Sequence, residues 1–469
     1  MKVKRLKMTS FRGISNLTLD FPTDEPTVFI GINGVGKSSI LDCLSILLSR
    51  FTGQMQASVD SSRSFNQQDI TNGQNETYTN ITISLNDSQE VNWFLFKRRK
   101  NDNAYISNQI SSKSTVGQFL KAIIKLKDQV ESVDKNASLY LQLAIEKLVD
   151  YIEANSEFPN ELPTVVEELR RRLEANAHAN LPLAVCYPVN RVVFDIPLEI
   201  TEEHQFEQID AYEHALTGGR IDFRRFFEWF RNREDLENEW RRNNPGYRDR
   251  ELEAVREAIY SLLGEEEFSN LQVERSPLQM IITKQGQELS VNQLSDGEKG
   301  LLAMVGDLAR RLAIANPSLP DPLQGSGVVL IDEIELHLHP KWQREIIPAL
   351  TRTFPNCQFI VTTHSPQVIS QVKPESIYIL ERTDSGIVAR RPESSFGRDS
   401  NRILEDLMGV PARPQEIKEN LLELFRLIDK GDLNGAKQLR QQIANEIGAD
   451  EPELVKAGVS IRRKEILGK

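Results

Sequence analysis

Phe29-Ile30-Gly31-Ile32-Asn33-Gly34-Val35-Gly36-Lys37-Ser38-Ser39 is the stretch on which the reading of this chain turns. It fits G-x-x-x-x-G-K-[ST], a Gly-rich turn whose backbone N–H groups point at phosphate oxygens. Its surroundings fit as well. The apolar run Thr27-Val28-Phe29-Ile30 reads as a buried strand, and Ser38 to Leu48 carries apolar residues at helical spacing. Strand, turn and helix in that order place the positive end of a helix dipole behind the bound anion. Lys37 is expected to reach the β- and γ-phosphates of a nucleotide, and the Ser38 hydroxyl to ligate Mg²⁺. Asn33, Gly34, Gly36 and Ser39 complete the expected phosphate contacts. A structural Gly-rich turn would match the bare pattern too, but not its context.

Three further segments near the other end of the chain carry related chemistry. Gly327-Val328-Val329-Leu330-Ile331-Asp332-Glu333 has four consecutive aliphatic residues followed by two carboxylates. It predicts a buried parallel strand with its acids at the edge where open α/β sheets bind ligands. Asp332 is expected to hold Mg²⁺ through water and Glu333 to polarise an attacking water. Cys357 to Thr363 predicts another buried strand, ending at His364, a candidate γ-phosphate partner. Leu294-Ser295-Asp296-Gly297-Glu298-Lys299-Gly300 precedes a helix expected near Gly297; alone, it is also an ordinary turn and N-cap. His337 and His339 lack a third ligand at suitable spacing, so they are not read as a metal site.

The order of these motifs resembles ABC-type ATPases of the group containing the SMC, RecF and OLD proteins. The resemblance implies an α/β fold: a P-loop ATPase head assembled from both chain ends, with a helical insertion and a helical C-terminal segment. It implies ATP and Mg²⁺ as cofactors, Glu333 as general base and His364 as switch residue. It also implies that Ser295, Gly297 and Glu298 meet the ATP of a second protomer, so that a head-to-tail homodimer, or a higher homo-oligomer, sandwiches nucleotide. Ile334, and the loop Glu335-Leu336-His337-Leu338-His339-Pro340, depart from the usual pattern after the acids. The expected Q-loop glutamine is Gln67 or Gln68.

A narrower resemblance rests on Tyr187-Pro188-Val189-Asn190-Arg191, on Phe226-Phe227-Glu228-Trp229-Phe230 and on Ser395-Phe396-Gly397-Arg398-Asp399-Ser400-Asn401. These segments are similar to the PtuA-type ATPase subunits of Septu and retron-associated antiphage defence. That similarity implies a separate HNH nuclease partner of the PtuB type, no nuclease motif in this chain, and nucleic acid met through the complex.

Composition bounds these readings. The chain has 469 residues, 39% hydrophobic and 27% charged, with a formal net charge of −11. That balance repels nucleic acid at long range and disfavours the alternative of a RecF- or SMC-like repair ATPase that clamps duplex DNA directly. Arg170-Arg171-Arg172 and Arg241-Arg242 read as solvated helix faces. No apolar run approaches the roughly 20 residues of a membrane helix. No membrane contact is therefore expected. No apolar core follows the basic Met1-Lys2-Val3-Lys4-Arg5, so no signal peptide is expected either. The long insertion and the order of the motifs disfavour the ATPase of a transporter. Three scattered cysteines suit a reducing cytoplasm.

The expected organisation is an N-terminal head portion (1–104), a mainly helical insertion (105–270), a C-terminal head portion (271–395) and a helical end (396–469). Within the insertion, Leu120, Ile123, Ile124 and Leu141, Ile145, Leu148, Val149 predict amphipathic helices. Phe223, Phe226, Phe227 and Phe230 fall on one helix face and are expected to be core.

Overall fold

The chain begins with two antiparallel strands, β1 (Lys2–Phe11) and β2 (Ile14–Asp20), followed by β3 (Thr27–Ile30) and helix α1 (Lys37–Met55). This computed structural model describes residues 1–56, 62–86, 89–99, 161–176, 178–191, 206–219, 221–384 and 386–467. The helices expected around Leu120–Ile124 and Leu141–Val149 lie outside them.

β4 (Glu76–Asn86) and β5 (Gln89–Arg98) complete an antiparallel sheet in the order β2-β1-β4-β5. Then come α2 (Leu162–Ala175), β6 (Leu183–Tyr187), α3 (Phe223–Arg241) and α4 (Arg250–Leu263). A small antiparallel sheet follows, β7 (Phe268–Arg275), β8 (Leu278–Lys284) and β9 (Gln287–Ser290). It leads into α5 (Asp296–Ala315), β10 (Gly327–Ile331), α6 (Pro340–Thr353), β11 (Cys357–Thr362) and the single turn α7 (Pro366–Ile369). β12 (Ile377–Thr383) and β13 (Gly386–Arg390) close the first compact unit, Met1–Gly397.

The central sheet has the order β13-β12-β3-β11-β10-β6 and is parallel except at β13. Parallel strands covered on both faces need apolar residues at every position, and β3, β10 and β11 are buried throughout. Each fully buried Val, Leu or Ile there contributes about 1.5–3 kcal/mol. The sheet takes strands from both chain ends and from between them. Residues 105–270, read as a mainly helical insertion, supply β6, which pairs in parallel with β10 (Val185 opposite Val329). The apolar run was legible as a strand; its partner, far along the chain, was not.

α5 is buried almost all round, as expected of a helix at the centre of a head. The α3 phenylalanines are core, with Phe226, Phe227 and Phe230 fully buried. Arg171 and Arg172 both pair with Glu168, and Arg241 with Glu237, so three of these basic residues have partners on their own helices.

One buried ion cluster fixes α5. Asp307 accepts from Arg310 at 2.8 Å, Arg311 at 2.7 Å and the Tyr187 hydroxyl at 3.0 Å. Burial alone would push the Asp307 carboxyl up, but the two guanidinium groups outweigh it and hold it down at about 2. A carboxyl depressed on folding adds stability above its ordinary value of 3.8, and that stability is lost as the pH falls towards about 2. Asp307→Asn leaves two arginines buried without their counter-ion. Chemical unfolding at neutral pH should show a loss of about 3–5 kcal/mol, and a much smaller difference near pH 2.

The second unit, Arg398–Lys469, holds α8 (Ser400–Asp406), α9 (Gln415–Lys430), α10 (Leu433–Ile447) and α11 (Pro452–Leu467). Its core is built from Leu421, Leu424, Ile428, Ala436, Ile443, Leu454, Ala457 and Ile461. Among the described residues no helix is long and apolar enough to cross a membrane.

Candidate nucleotide site

Three adjacent strands of the central sheet, β3, β11 and β10, end at the same edge. β3 delivers the phosphate loop, β10 delivers Asp332 and Glu333, and β11 delivers Thr363 and His364. This is the carboxyl edge at which open α/β sheets bind ligands.

The loop is built to leave donors free. Gly34 and Gly36 have φ of 76° and 109°, left-handed values that glycine adopts without strain. Gly36 is the N-cap of α1 and supplies no side-chain cap, so no side chain satisfies the first N–H groups of the helix there. Lys37 is buried, and its Nζ donates to the carbonyls of Gly31 (2.8 Å) and Ile32 (3.0 Å), folding it over its own loop. Burial lowers its pKa, and the carboxylates of Asp332, Glu333 and Glu335 act in the opposite sense. The loop cation and the strand-end acids thus share one electrostatic site. Asn33, Gly34 and Ser38 are exposed, and Ser39 is half-buried beside them.

The acid turn is held tightly. Asp332 is buried, and its carboxylate accepts from the Thr362 hydroxyl, which accepts in turn from the Glu333 N–H at 2.7 Å. Arg191 donates from Nη1 to the Asp332 carbonyl and from Nη2 to the Glu333 carbonyl at 2.6 Å. Glu333 has a left-handed backbone, φ 47°, which in a non-glycine residue costs about 1–3 kcal/mol and persists only where neighbours enforce it.

Glu335 joins the acid turn to the next strand end. Its carboxylate accepts from the Thr363 hydroxyl at 2.7 Å and from the His364 N–H at 2.5 Å. Beyond it, the Ser365 hydroxyl donates to Gln343 at 2.6 Å. Neither Glu335 nor Arg191 was singled out as a site residue in the sequence. Glu335 registered only as part of a loop that departs from a pattern, and Arg191 only within a resemblance. The available signal for Glu335 was a second acid just past a strand-end acid pair.

Ser295, Gly297 and Glu298 stand apart from the phosphate loop: among the described residues, no hydrogen bond or ion pair joins them to it. They begin α5 as a capping box. The Glu298 carboxylate accepts from the Ser295 N–H and hydroxyl, both at 2.8 Å, and pairs with Lys284 at 2.6 Å. Burial pushes the Glu298 carboxyl up, but these bonds, Lys284 first, hold it below the usual range. Glu298 therefore shapes the helix start from inside, while Ser295 is exposed. Gly297 is buried against the loop after Glu333: a Cβ there would sit 2.5 Å from the His337 carbonyl oxygen.

His339 caps α6, its Nδ1 accepting from the Lys341 N–H at 3.2 Å, which gives this residue a structural task. Gln67 donates to the Arg98 carbonyl at 3.3 Å, and Gln68 is exposed. Arg12 pairs with Asp42 on α1 at 2.6 Å and with Asp69 at 2.7 Å, tying the β1–β2 turn to the loop helix.

The residues fit a magnesium nucleotide on their own chemistry: uncapped helix N–H groups, a buried lysine, an exposed hydroxyl at Ser38 and a buried carboxylate at Asp332. A family model described as "AAA domain" matches residues 5–267, and a second AAA-domain model matches residues 194–370. The Retron Ec83 probable ATPase of Escherichia coli is 28% identical, over 99% of this chain and 87% of that protein. The Septu protein PtuA of Bacillus thuringiensis is 29% identical over 29% of this chain and 37% of its own length. Among solved structures, the SMC head domain from Thermotoga maritima is 14% identical and covers 84% of this chain and all of that one, with a TM-score of 0.39.

Proposed function

Because the chain belongs to the AAA-domain family, whose model covers more than half of it, we propose that it is the ATP-binding and ATP-hydrolysing subunit of a bacterial antiphage defence complex. It dimerises around ATP and scaffolds or regulates a separate HNH-type nuclease, which supplies any cleavage. The observation that carries the ATPase reading is the convergence of the phosphate loop, Asp332–Glu333 and His364 on one sheet edge, where the acids favour the charged form of Lys37. The retron and Septu relatives support the defence context.

In this reading the loop N–H groups and Lys37 bind the β- and γ-phosphates. Ser38 and Asp332 hold Mg²⁺, which when bound neutralises charge on those phosphate oxygens. Glu333 accepts a proton from water as the water oxygen attacks the γ-phosphorus and the bond to the bridging oxygen breaks, giving ADP and phosphate. His364, whose N–H donates to Glu335, would contact the γ-phosphate from the same edge. The exposed Ser295 start of α5 meets the nucleotide of the second protomer. The close packing of Gly297 against the His337 carbonyl then sets that contact beside the loop carrying Glu333 and Glu335.

The test is to express the chain with its genomic neighbours and identify what co-purifies, with and without ATP. A stoichiometric nuclease subunit is expected. A lone dimer that binds duplex DNA with a steep salt dependence would replace this reading by that of a repair ATPase.

A further inference from the structure

We propose that Arg191 is a positioning residue for Glu333: its guanidinium clamps the acid turn at the end of β10 and so fixes where the Glu333 carboxylate stands. The inference rests on the reading of Glu333 as the base.

The geometry is specific. Arg191 lies just past β6, in the turn that begins at Pro188, and is only 5% exposed. Nη1 donates to the Asp332 carbonyl and, at 3.3 Å, to the Pro188 carbonyl; Nη2 donates to the Glu333 carbonyl at 2.6 Å. A planar guanidinium can span two successive carbonyls in this way, and a lysine ammonium on its flexible stem cannot hold both in fixed register. From the other side, the Thr362 hydroxyl takes the Glu333 N–H. Both main-chain polar groups of Glu333 are therefore bound by side chains, the N–H by Thr362 at the end of β11 and the carbonyl by Arg191 just past β6; the carbonyl also accepts from the Leu336 N–H at 3.0 Å.

That pinning acts together with the flanking bonds from the Asp332 N–H to the Tyr187 carbonyl and from the Ile334 N–H to the Thr362 carbonyl to hold the left-handed backbone of Glu333, which is sterically disfavoured for a residue with a Cβ. Freed from Arg191, the turn is expected to relax towards an ordinary backbone and swing the carboxylate away. The charge environment supports the same role. Burial lowers the Arg191 pKa, while the carboxylates of Glu335, Asp332 and Glu333 favour its charged form. An arginine buried only for stability would satisfy itself on any carbonyls; this one binds the two that bracket the base.

The experiment compares full-length Arg191→Lys, Arg191→Ala and Glu333→Gln for kcat, KM and Kd for Mg-ATP, and thermal unfolding. Misplacing a reacting group by about 1 Å costs on the order of 10²-fold in rate, so both Arg191 variants should lose about 10–100-fold in kcat. Their ATP Kd should stay within about twofold, because the phosphate loop is untouched. Millimolar guanidinium should restore turnover to Arg191→Ala and not to Glu333→Gln. Wild-type kcat in Arg191→Lys would overturn the proposal. So would loss of kcat and ATP binding together without guanidinium rescue, the mark of a merely structural arginine. If Arg191→Ala does not fold, the kcat-against-Kd split of Arg191→Lys decides alone. Normal turnover in Glu333→Gln would instead sink the base reading, whereas an inactive Glu333→Gln beside a fully active Arg191→Lys would sink only the clamp.

Discussion

Glu333→Gln should lower ATP turnover by about 10²–10⁴-fold, the usual contribution of a positioned general base, while ATP still binds. The substitution is nearly isosteric, and the hydrogen bonds that hold residue 333 among the described residues act on its main chain. Arg191 grips its carbonyl and Thr362 its N–H, and neither contact depends on the carboxylate. The left-handed turn should therefore survive, leaving a nucleotide site complete except for its proton acceptor. ATP would then stay bound for long times. Single-turnover phosphate release, read beside equilibrium ATP binding, separates the two effects. Turnover at the wild-type rate would remove Glu333 from the base role.

Lys37→Ala should weaken ATP binding by at least about 10²-fold, since each charge-assisted contact to phosphate contributes about 1.5–3 kcal/mol and Lys37 would make two. Without nucleotide the ammonium is buried at a cost: burial lowers its pKa, and the carboxylates of Asp332, Glu333 and Glu335 offset that only in part. The unfolding temperature of the nucleotide-free protein should change much less than the affinity. Titration calorimetry with Mg-ATP reads the first effect directly, and affinity equal to that of the wild type would contradict the loop assignment.

What could be read from the sequence was whatever chemistry is local. The phosphate loop is legible because strand, glycines, lysine and helix follow one another without a gap. The Asp332–Glu333 pair is legible because a fully aliphatic strand announces burial and the acids announce its end. The start of α5 was ambiguous for the same reason: Ser295 to Glu298 spells both a nucleotide motif and a capping box, and the structure places a capping box there. The missed residues act at a distance. Arg191 meets Asp332 and Glu333 only because β6 pairs with β10, a parallel pairing that no local pattern encodes. Glu335 matters because β11 returns its end beside the acid turn, where Thr363 and His364 can donate to it. In the same way, β6 belongs to the central sheet although the residues around it read as a helical insertion.

The account stands most directly on whether ATP itself brings two copies together. The measurement is the solution mass of Glu333→Gln by light scattering, with and without Mg-ATP, beside Lys37→Ala under the same conditions. The account predicts an ATP-dependent rise in the assembly of Glu333→Gln that Lys37→Ala does not show. A mass indifferent to ATP in both variants, with ATP binding intact in Glu333→Gln, would contradict it.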